Sequence, residues 1–360
     1  MKKLRVAIIG QGRSGRDIHG AYLHTDKAKE KFQVAAVVDQ LEDRRKRAEK
    51  EWNVPVFASY TDLYNLTGQI DLVVNSTFSY QHAPIAIDLL NHGFNVLCEK
   101  PACCSLEEFN AMTAAAKAND RFLDIFQQSR FAPYYKQVKK VIDSGVLGRL
   151  VDVDIRFNSF QRRWDWQTLL SYNGGSLRNT GPHPLDQALD ILGDPLTMPS
   201  VFCHMDKVNT FGDAEDFCKL ILTEPGRPLI DLTISCCDAY PSYTYKIHGS
   251  RGGLKGTMSH MDWKYFDLDK APEQHLIKTP LCHEDGTPAY CGEKLEWTEK
   301  CWDGDPNGPF DSAVAEYYDM MYDHLVNNSP LKVTLEQVRQ QVAVYQEAHR
   351  QASLPVVFDR

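Results

Sequence analysis

The spacing of apolar residues divides the chain into two halves. "LRVAIIG" (4–10) is continuously apolar and stops at a glycine, the pattern of a strand buried on both faces of a parallel sheet. A helical pattern follows over about 13–29, then a second strand in "FQVAAVVD" (32–39) and a short third in "VPVFA" (54–58). "DLVVNST" (71–77), "NVLCEKP" (95–101) and "RFLDIFQQS" (121–129) predict three more. Helices are predicted between them at 82–93, closed by glycine, and at 105–120, opened by a Ser-x-x-Glu capping box. Strands alternating with helices predict a parallel, doubly wound sheet.

After about residue 130 the period changes. "LVDVDIRFNSF" (150–160) alternates apolar and polar positions, as a half-buried strand does. "DFCKLILTE" (216–224), "LIDLTISCC" (229–237) and "YTYKIHGS" (243–250) continue in that style, which predicts an antiparallel or mixed sheet with one open face. Residues 256–310 are rich in Gly, Pro, Asp and Trp and read as irregular. Two helices, at about 311–327 and 334–351, end the pattern, the second behind the capping signature "TLEQ".

A length of 360 residues suits two domains. The formal net charge is −8 and no basic stripe is present, which argues against nucleic acid as a partner. No apolar run reaches the roughly 18 residues of a membrane span, so no membrane partner is expected. The amino-terminal residues begin a strand at once, without a signal-peptide pattern. The ten cysteines therefore read as reduced thiols of a cytoplasmic protein. Their spacing gives no short ligand pairs, and no metal is expected.

"GQGRSG" (10–15) places Gly10, Gly12 and Gly15 in a GxGxxG motif that follows a strand and opens a helix. Gly10 suits a tight turn, Gly12 a close approach to pyrophosphate, and Gly15 helix–strand packing, with Arg13 and Ser14 in the same loop. The helix N-terminus beyond them suits phosphates. Asp39 ends the second strand, where an acid bonds the ribose hydroxyls of NAD and repels a 2′-phosphate. Arg44 and Arg45 leave some room for NADP. "CEKP" (98–101) brings Glu99 and Lys100 to the carboxyl edge of the sheet, and Pro101 permits a cis bond. In "GGSLRNTGPHPLDQAL" (174–189), His183 stands between two prolines that restrict the backbone around it. From spacing alone, Lys100 reads equally as a solvated lysine and His183 as a cap. Arg163, Trp164 and Trp166 in "FQRRWDWQ" (160–167) are candidates for a sugar pocket or for an ordinary packed pair with a surface arginine.

Taken in order, the glycine motif, "NVLCEKP" and "GGSLRNTGPHPLDQALDILG" resemble the Gfo/Idh/MocA family, the glucose–fructose oxidoreductase and inositol dehydrogenase group. The resemblance spans nearly the whole chain. "RFAPYYKQVKKVIDSGVLGRL" (130–150) is similar to the family's interdomain link, and the last helices with "PVVF" (355–358) to its end. It implies an α/β fold in two parts. Residues 1–129 would form an NAD(P)-binding Rossmann domain. Residues 130–360 would form a substrate-binding and oligomerisation domain with a large open, mostly antiparallel sheet, its last helices packing back on the first domain.

The activity implied is hydride transfer between NAD, less so NADP, and a secondary alcohol of a sugar, cyclitol or glycoside. Lys100 and His183 match the family's catalytic lysine and histidine. Ser76, Thr77, His82, Glu99 and Gln128 fall in cofactor-facing regions, although Ser76–Thr77 also reads as a plain strand end and His82 as a structural helix entry. Asn179 stands where the family commonly has Asp, and is expected to orient the substrate. It offers donors but no charge for a nearby imidazolium. Family range, with Trp263, Trp297 and Trp302 in 256–310, extends the expectation to a bulky glycoside oxidised at C3. The alternatives are a tightly bound, internally recycled NAD(H) and a non-catalytic NAD-binding sensor. A homodimer or homotetramer through the open sheet is also implied.

Overall fold

The computed structural model describes residues 2–193, 195–305, 309–352 and 354. "PVVF" (355–358) lies outside them. The first apolar run forms β1 (Leu4–Ile9), which pairs in parallel with β2 (Phe32–Val38) on one side and β4 (Leu72–Asn75) on the other. With β3 (Val56–Phe57), β5 (Val96–Cys98) and β6 (Leu123–Ile125) the sheet order is β3-β2-β1-β4-β5-β6. The chain turns to one side of β1 first and to the other later, so a crevice opens at the carboxyl ends of β1 and β4.

The stretch 13–29, expected as one helix, is broken. Arg13–Gly20 is wound as a π-helix, α1 (Ala21–Leu23) adds one turn, and α2 (Asp26–Lys31) starts afresh. The hydroxyl of Thr25 accepts the Ala28 N–H at 3.2 Å and so caps α2. A threonine serves better as such a cap than inside a helix. The remaining helices of this half are α3 (Glu42–Trp52), α4 (His82–Asn91) and α5 (Leu106–Ala118).

The connecting helix α6 (Pro133–Asp143) leads to an eight-stranded sheet. Its central strand β7 (Leu150–Asn158) is followed by the helices α7 (Ser176–Asn179) and α8 (Pro182–Leu192). Then come β8 (Ser200–Asp206), β9 (Phe217–Thr223), β10 (Leu229–Ser235), β11 (Tyr245–Gly249), β12 (Gly252–Gly256) and β13 (His260–Phe266). A small hairpin of β14 (Leu281–Cys282) and β15 (Pro288–Ala289) precedes β16 (Trp297–Asp303). The order is β16-β13-β12-β11-β7-β10-β9-β8, antiparallel except for the central pair β7–β10. The segment 256–310 is thus less irregular than its composition suggests, because β13 and β16 extend the sheet. β8 carries no clear sequence signal: Cys203 and Met205 face the core while Phe202 faces out, which blurs the alternation.

One face of the sheet buries Val153, Ile155, Leu220 and Leu232, with α8 and the terminal helix against it. The other carries cross-strand charge pairs, Lys219–Asp231 at 2.5 Å and His248–Asp152 at 3.3 Å. The final helices α9 (Pro309–Asn327) and α10 (Leu335–Gln351) return to the first sheet. Tyr317 donates to the Asp124 carboxylate at 2.5 Å and Tyr322 to the Lys2 carbonyl at 2.7 Å. Among the described residues no helix is long and apolar enough to cross a membrane.

Candidate active site

The glycine loop sits at the crevice. Gly10 has φ +91°, and a Cβ there would lie 2.4 Å from the Ser76 carbonyl oxygen. A Cβ on Gly15 would lie 1.8 Å from the Gly10 carbonyl oxygen, so β1, β4 and the first helix meet only through glycines. Gly12 differs: a Cβ would meet nothing nearer than the Arg44 guanidinium at 3.7 Å. Its missing side chain leaves open space, which fits a pyrophosphate against backbone amides. Asp39 accepts the Gln11 N–H at 2.7 Å and the Leu41 N–H at 2.8 Å, with Arg44 at 3.4 Å. Its carboxylate therefore fixes the glycine turn. Arg13 is exposed and Ser14 half-buried on this loop. Gly15→Ala is expected to weaken NAD binding by more than about tenfold in a fluorescence titration. Gly292→Ala, where a Cβ meets only open space, is the matched control.

At the end of β5, the Lys100–Pro101 peptide is cis. Glu99 is buried and accepts the Lys100 N–H at 3.0 Å; its other oxygen lies 3.1 Å from His19 Nε2. His19 in turn places Nδ1 2.7 Å from the Tyr318 hydroxyl of α9. Burial alone would push Glu99 up, but the His19 hydrogen bond and the charges of His19 and Lys100 hold it down at about 2. The Lys100 ammonium donates to the Asn179 carbonyl oxygen at 2.8 Å. Burial lowers its pKa, the Glu99 charge raises it, and Arg13 and Arg163 press it down again. Lysine with a lowered pKa is suited to give and take a proton.

His183 lies in the first turn of α8, inside the helix and not ahead of it. Pro184 disfavours helical backbone at the residue before it, but the first four N–H groups of a helix have no partner to lose. Pro182 and Pro184 therefore cost no helical hydrogen bond. Gly181 separates α7 from α8, and a Cβ there would lie 2.1 Å from the Leu177 carbonyl oxygen. His183 Nδ1 is buried with no hydrogen-bond partner among the described residues. Burial, and then the charge of Lys100, push this imidazole down to about 3. It is neutral at pH 7, with Nδ1 unengaged by the described residues.

Asn179 connects this pair to a cavity of about 380 Å³ lined largely by polar side chains, including Gln161, Arg163, Thr180 and Glu215. Asn179 itself lines it, while Lys100, His183, Trp164 and Trp166 do not. Arg163 forms a fork with Asp165 at 2.8 Å and 2.9 Å and also bonds Gln167. Trp166 packs edge-on against Phe78 at 4.9 Å, joining the two sheets' loops. Trp164 is almost fully exposed. Trp263, Trp297 and Trp302 stand on β13 and β16, outside the cavity.

The other candidates are placed as follows. The Ser76 hydroxyl donates to the Ile9 carbonyl at 2.7 Å, fastening β4 to β1. Thr77 donates to Asn75. His82 places Nδ1 2.7 Å from the Pro101 carbonyl and Nε2 3.2 Å from that of Thr77, so its ring is engaged by the backbone around Lys100. Gln128 is buried, and its Oε1 lacks a partner among the described residues.

Asp186, one turn after His183, reads from sequence either as a supporting group or as helix surface, but the partners that hold this region carry no sequence signal. Arg130 clamps Asp186 with two bonds of 2.8 Å and Asp190 with one of 2.7 Å, locking α8 to the interdomain connection. Gln341 of α10 accepts from Gln127 and donates to the Pro182 carbonyl at 2.8 Å, at the start of the helix that carries His183. Glu215 accepts the Leu177 N–H at 2.9 Å and anchors α7; burial pushes its carboxyl up to about 7. These partners lie tens to hundreds of residues apart, and no local motif marks them.

A dinucleotide cradle joined to an open sheet with a polar cavity beside a lysine and a neutral histidine belongs to the class of NAD-binding oxidoreductases. Residues 4–126 match the oxidoreductase family with an NAD-binding Rossmann fold, and residues 135–255 match the Gfo/Idh/MocA C-terminal domain. The chain belongs to the Gfo/Idh/MocA family of oxidoreductases. It is 28% identical over 252 residues to the Escherichia coli oxidoreductase YdgJ, covering 69% of this chain and 70% of that one. It is 29% identical over 215 residues to the D-glucoside 3-dehydrogenase of the same organism, covering 58% and 59%. The fold matches that of the WlbA dehydrogenase of Bordetella pertussis, solved with NADH and UDP-GlcNAcA, with a TM-score of 0.74, 20% identity and 99% of each chain covered.

Proposed function

We propose that the protein is an NAD-preferring dehydrogenase that oxidises a secondary alcohol of a sugar, cyclitol or glycoside, with glycoside C3 as the favoured carbon. The observation that carries this reading is Lys100, held to the Asn179 carbonyl at the edge of a polar cavity, beside a histidine whose Nδ1 is buried and unpartnered. The similarity to a D-glucoside 3-dehydrogenase supports the choice of carbon. A bound nicotinamide supplies the hydride acceptor. His183 takes the hydroxyl proton as the carbon–hydrogen bond gives up its hydride, so alcohol becomes ketone. Lys100 stabilises the oxygen as negative charge develops there. Asn179 orients the substrate's hydroxyls. Asp39 supports NAD over NADP, because an acid at the end of the second strand suits ribose hydroxyls and repels a 2′-phosphate. The two functional units are residues 1–129 and 130–360, and copies associate through the charged open face of the large sheet as a dimer or tetramer.

Native mass spectrometry with equal NAD and NADP tests the cofactor and the assembly together. Binding of NAD in preference to NADP is expected; binding of neither overturns the oxidoreductase reading. Nucleotide already bound on purification favours an internally recycled NAD(H).

Asn179, which lacks the family's usual charge, favours a second reading as a non-catalytic NAD-binding sensor. Asn179→Asp separates the two. The dehydrogenase reading expects turnover in the native chain, changed severalfold by the substitution. Activity seen only in Asn179→Asp would favour the sensor.

A further inference from the structure

We propose that four exposed aromatic side chains around the mouth of the cavity form a second subsite, which binds a flat apolar ring attached to the sugar. This rests on the dehydrogenase reading above. Phe160, Trp164, Phe211 and Tyr240 are between 57% and 91% exposed. They come from three separate loops, and each loop is tied to the cavity wall. Phe160 forms an isolated bridge with Cys237, next to Cys236 of the wall. The Phe211 N–H donates at 2.7 Å to the carbonyl of Arg163, a wall residue that Trp164 directly follows. The Tyr240 N–H donates to the Asp238 carboxylate at 2.9 Å. Asp238 accepts in turn from the side chain of Asn158, another wall residue, at 2.9 Å.

Among the described residues none of the four packs against another aromatic ring. Phe78, Tyr80, Trp166 and Tyr172, by contrast, pack edge-on or stacked among themselves nearby. A single exposed aromatic is ordinary, but four on three loops fastened to one cavity wall are more than chance exposure accounts for. Their loops adjoin Asn158, Arg163 and Cys236, which line the polar cavity, so the four rings lie on the chain segments next to the place proposed for a polyhydroxylated ring. A ligand complementary to both has a polar ring inside and an apolar ring outside. An aryl glycoside has that form, and its aglycone offers a face for stacking. The subsite sits on loops before β8, after β10 and between β8 and β9. It is distinct from 256–310, where a bulky group was expected.

The test compares NAD-dependent oxidation of phenyl and methyl pyranosides of the gluco, galacto and manno series. The native protein is expected to favour the phenyl member in kcat/KM by about tenfold. Phe211→Ala and Tyr240→Ala are expected to remove that preference through KM, leaving turnover of the methyl glycoside unchanged. Both side chains are too exposed for their loss to threaten folding. Equal rates for phenyl and methyl glycosides in the native protein, or a preference that survives both substitutions, overturn the subsite. A change of assembly size in native mass spectrometry, with the preference intact, also overturns it and makes the rim a contact between copies. Failure to oxidise any pyranoside despite NAD binding overturns the choice of a glycoside and the subsite with it, whereas binding of neither nucleotide overturns the dehydrogenase reading.

Discussion

Replacing Lys100 with methionine is expected to reduce turnover by about 10²–10⁴-fold while NAD affinity stays within a factor of about two. The side chain is held by a 2.8 Å bond to the Asn179 carbonyl and lies beside the ionised Glu99, and neither contact belongs to the glycine cradle. Methionine keeps the length and removes the charge. Glu99 then loses its cationic neighbour but keeps His19 and the Lys100-position N–H, so the end of β5 keeps its shape. The substitution also removes the positive charge that presses the His183 pKa down, so the imidazole should titrate higher in the variant. Its proton affinity, read by nuclear magnetic resonance of the ring, reports the loss of that charge independently of activity. Steady-state oxidation and a nucleotide titration complete the test. Loss of NAD binding with unchanged turnover would contradict the assigned role.

The dinucleotide half of the molecule was largely legible in the sequence, because its signals are local. A continuous apolar run, three glycines and an acid at the next strand end each act within a few residues. The glycines prove to be steric necessities at Gly10 and Gly15 and an open space at Gly12. The stretch after Gly15 was legible as helical but not as broken, since one face of apolar residues says nothing about π winding. In the second half, alternation located β7, β9, β10 and β11 but not β8, where apolar side chains face both ways. Composition also misrepresented 256–310: Trp, Gly and Asp suggested a loop, yet β13 and β16 pair along seven residues each. The candidate site was visible only where its proposed residues sit in motifs. Lys100, Asn179 and His183 lie in two such stretches. The groups that hold them, His19, Arg130, Glu215 and Gln341, are joined across the fold, and only tertiary structure brings them together.

Arg130→Met is expected to be the most destabilising of the conservative substitutions around the site, by about 3–5 kcal/mol in urea unfolding. The guanidinium is 9% exposed and Asp186 only 2%, so the clamp is a buried one. Removing the arginine leaves two carboxylates facing each other without a counter-charge. Asp190 retains the Tyr135 hydroxyl at 2.5 Å, but Asp186 loses both of its charged bonds. Burial and the neighbouring Asp190 already work against ionisation of Asp186, and Arg130 is the charge that opposes them. In the variant the Asp186 carboxyl should therefore be pushed further up from its ordinary range. The folded state then binds protons more tightly than the unfolded one, so the variant's stability falls further as pH rises. The double variant Arg130→Met with Asp186→Leu removes the orphaned charge and is expected to recover most of the loss. An apolar pair of similar volume often matches a buried ion pair in stability. If the recovered protein folds well yet turns over slowly, the clamp serves to set the angle of α8 and thereby the place of His183. If it turns over normally, Gln341 at the Pro182 carbonyl suffices to hold that helix, and the clamp's contribution is to stability alone.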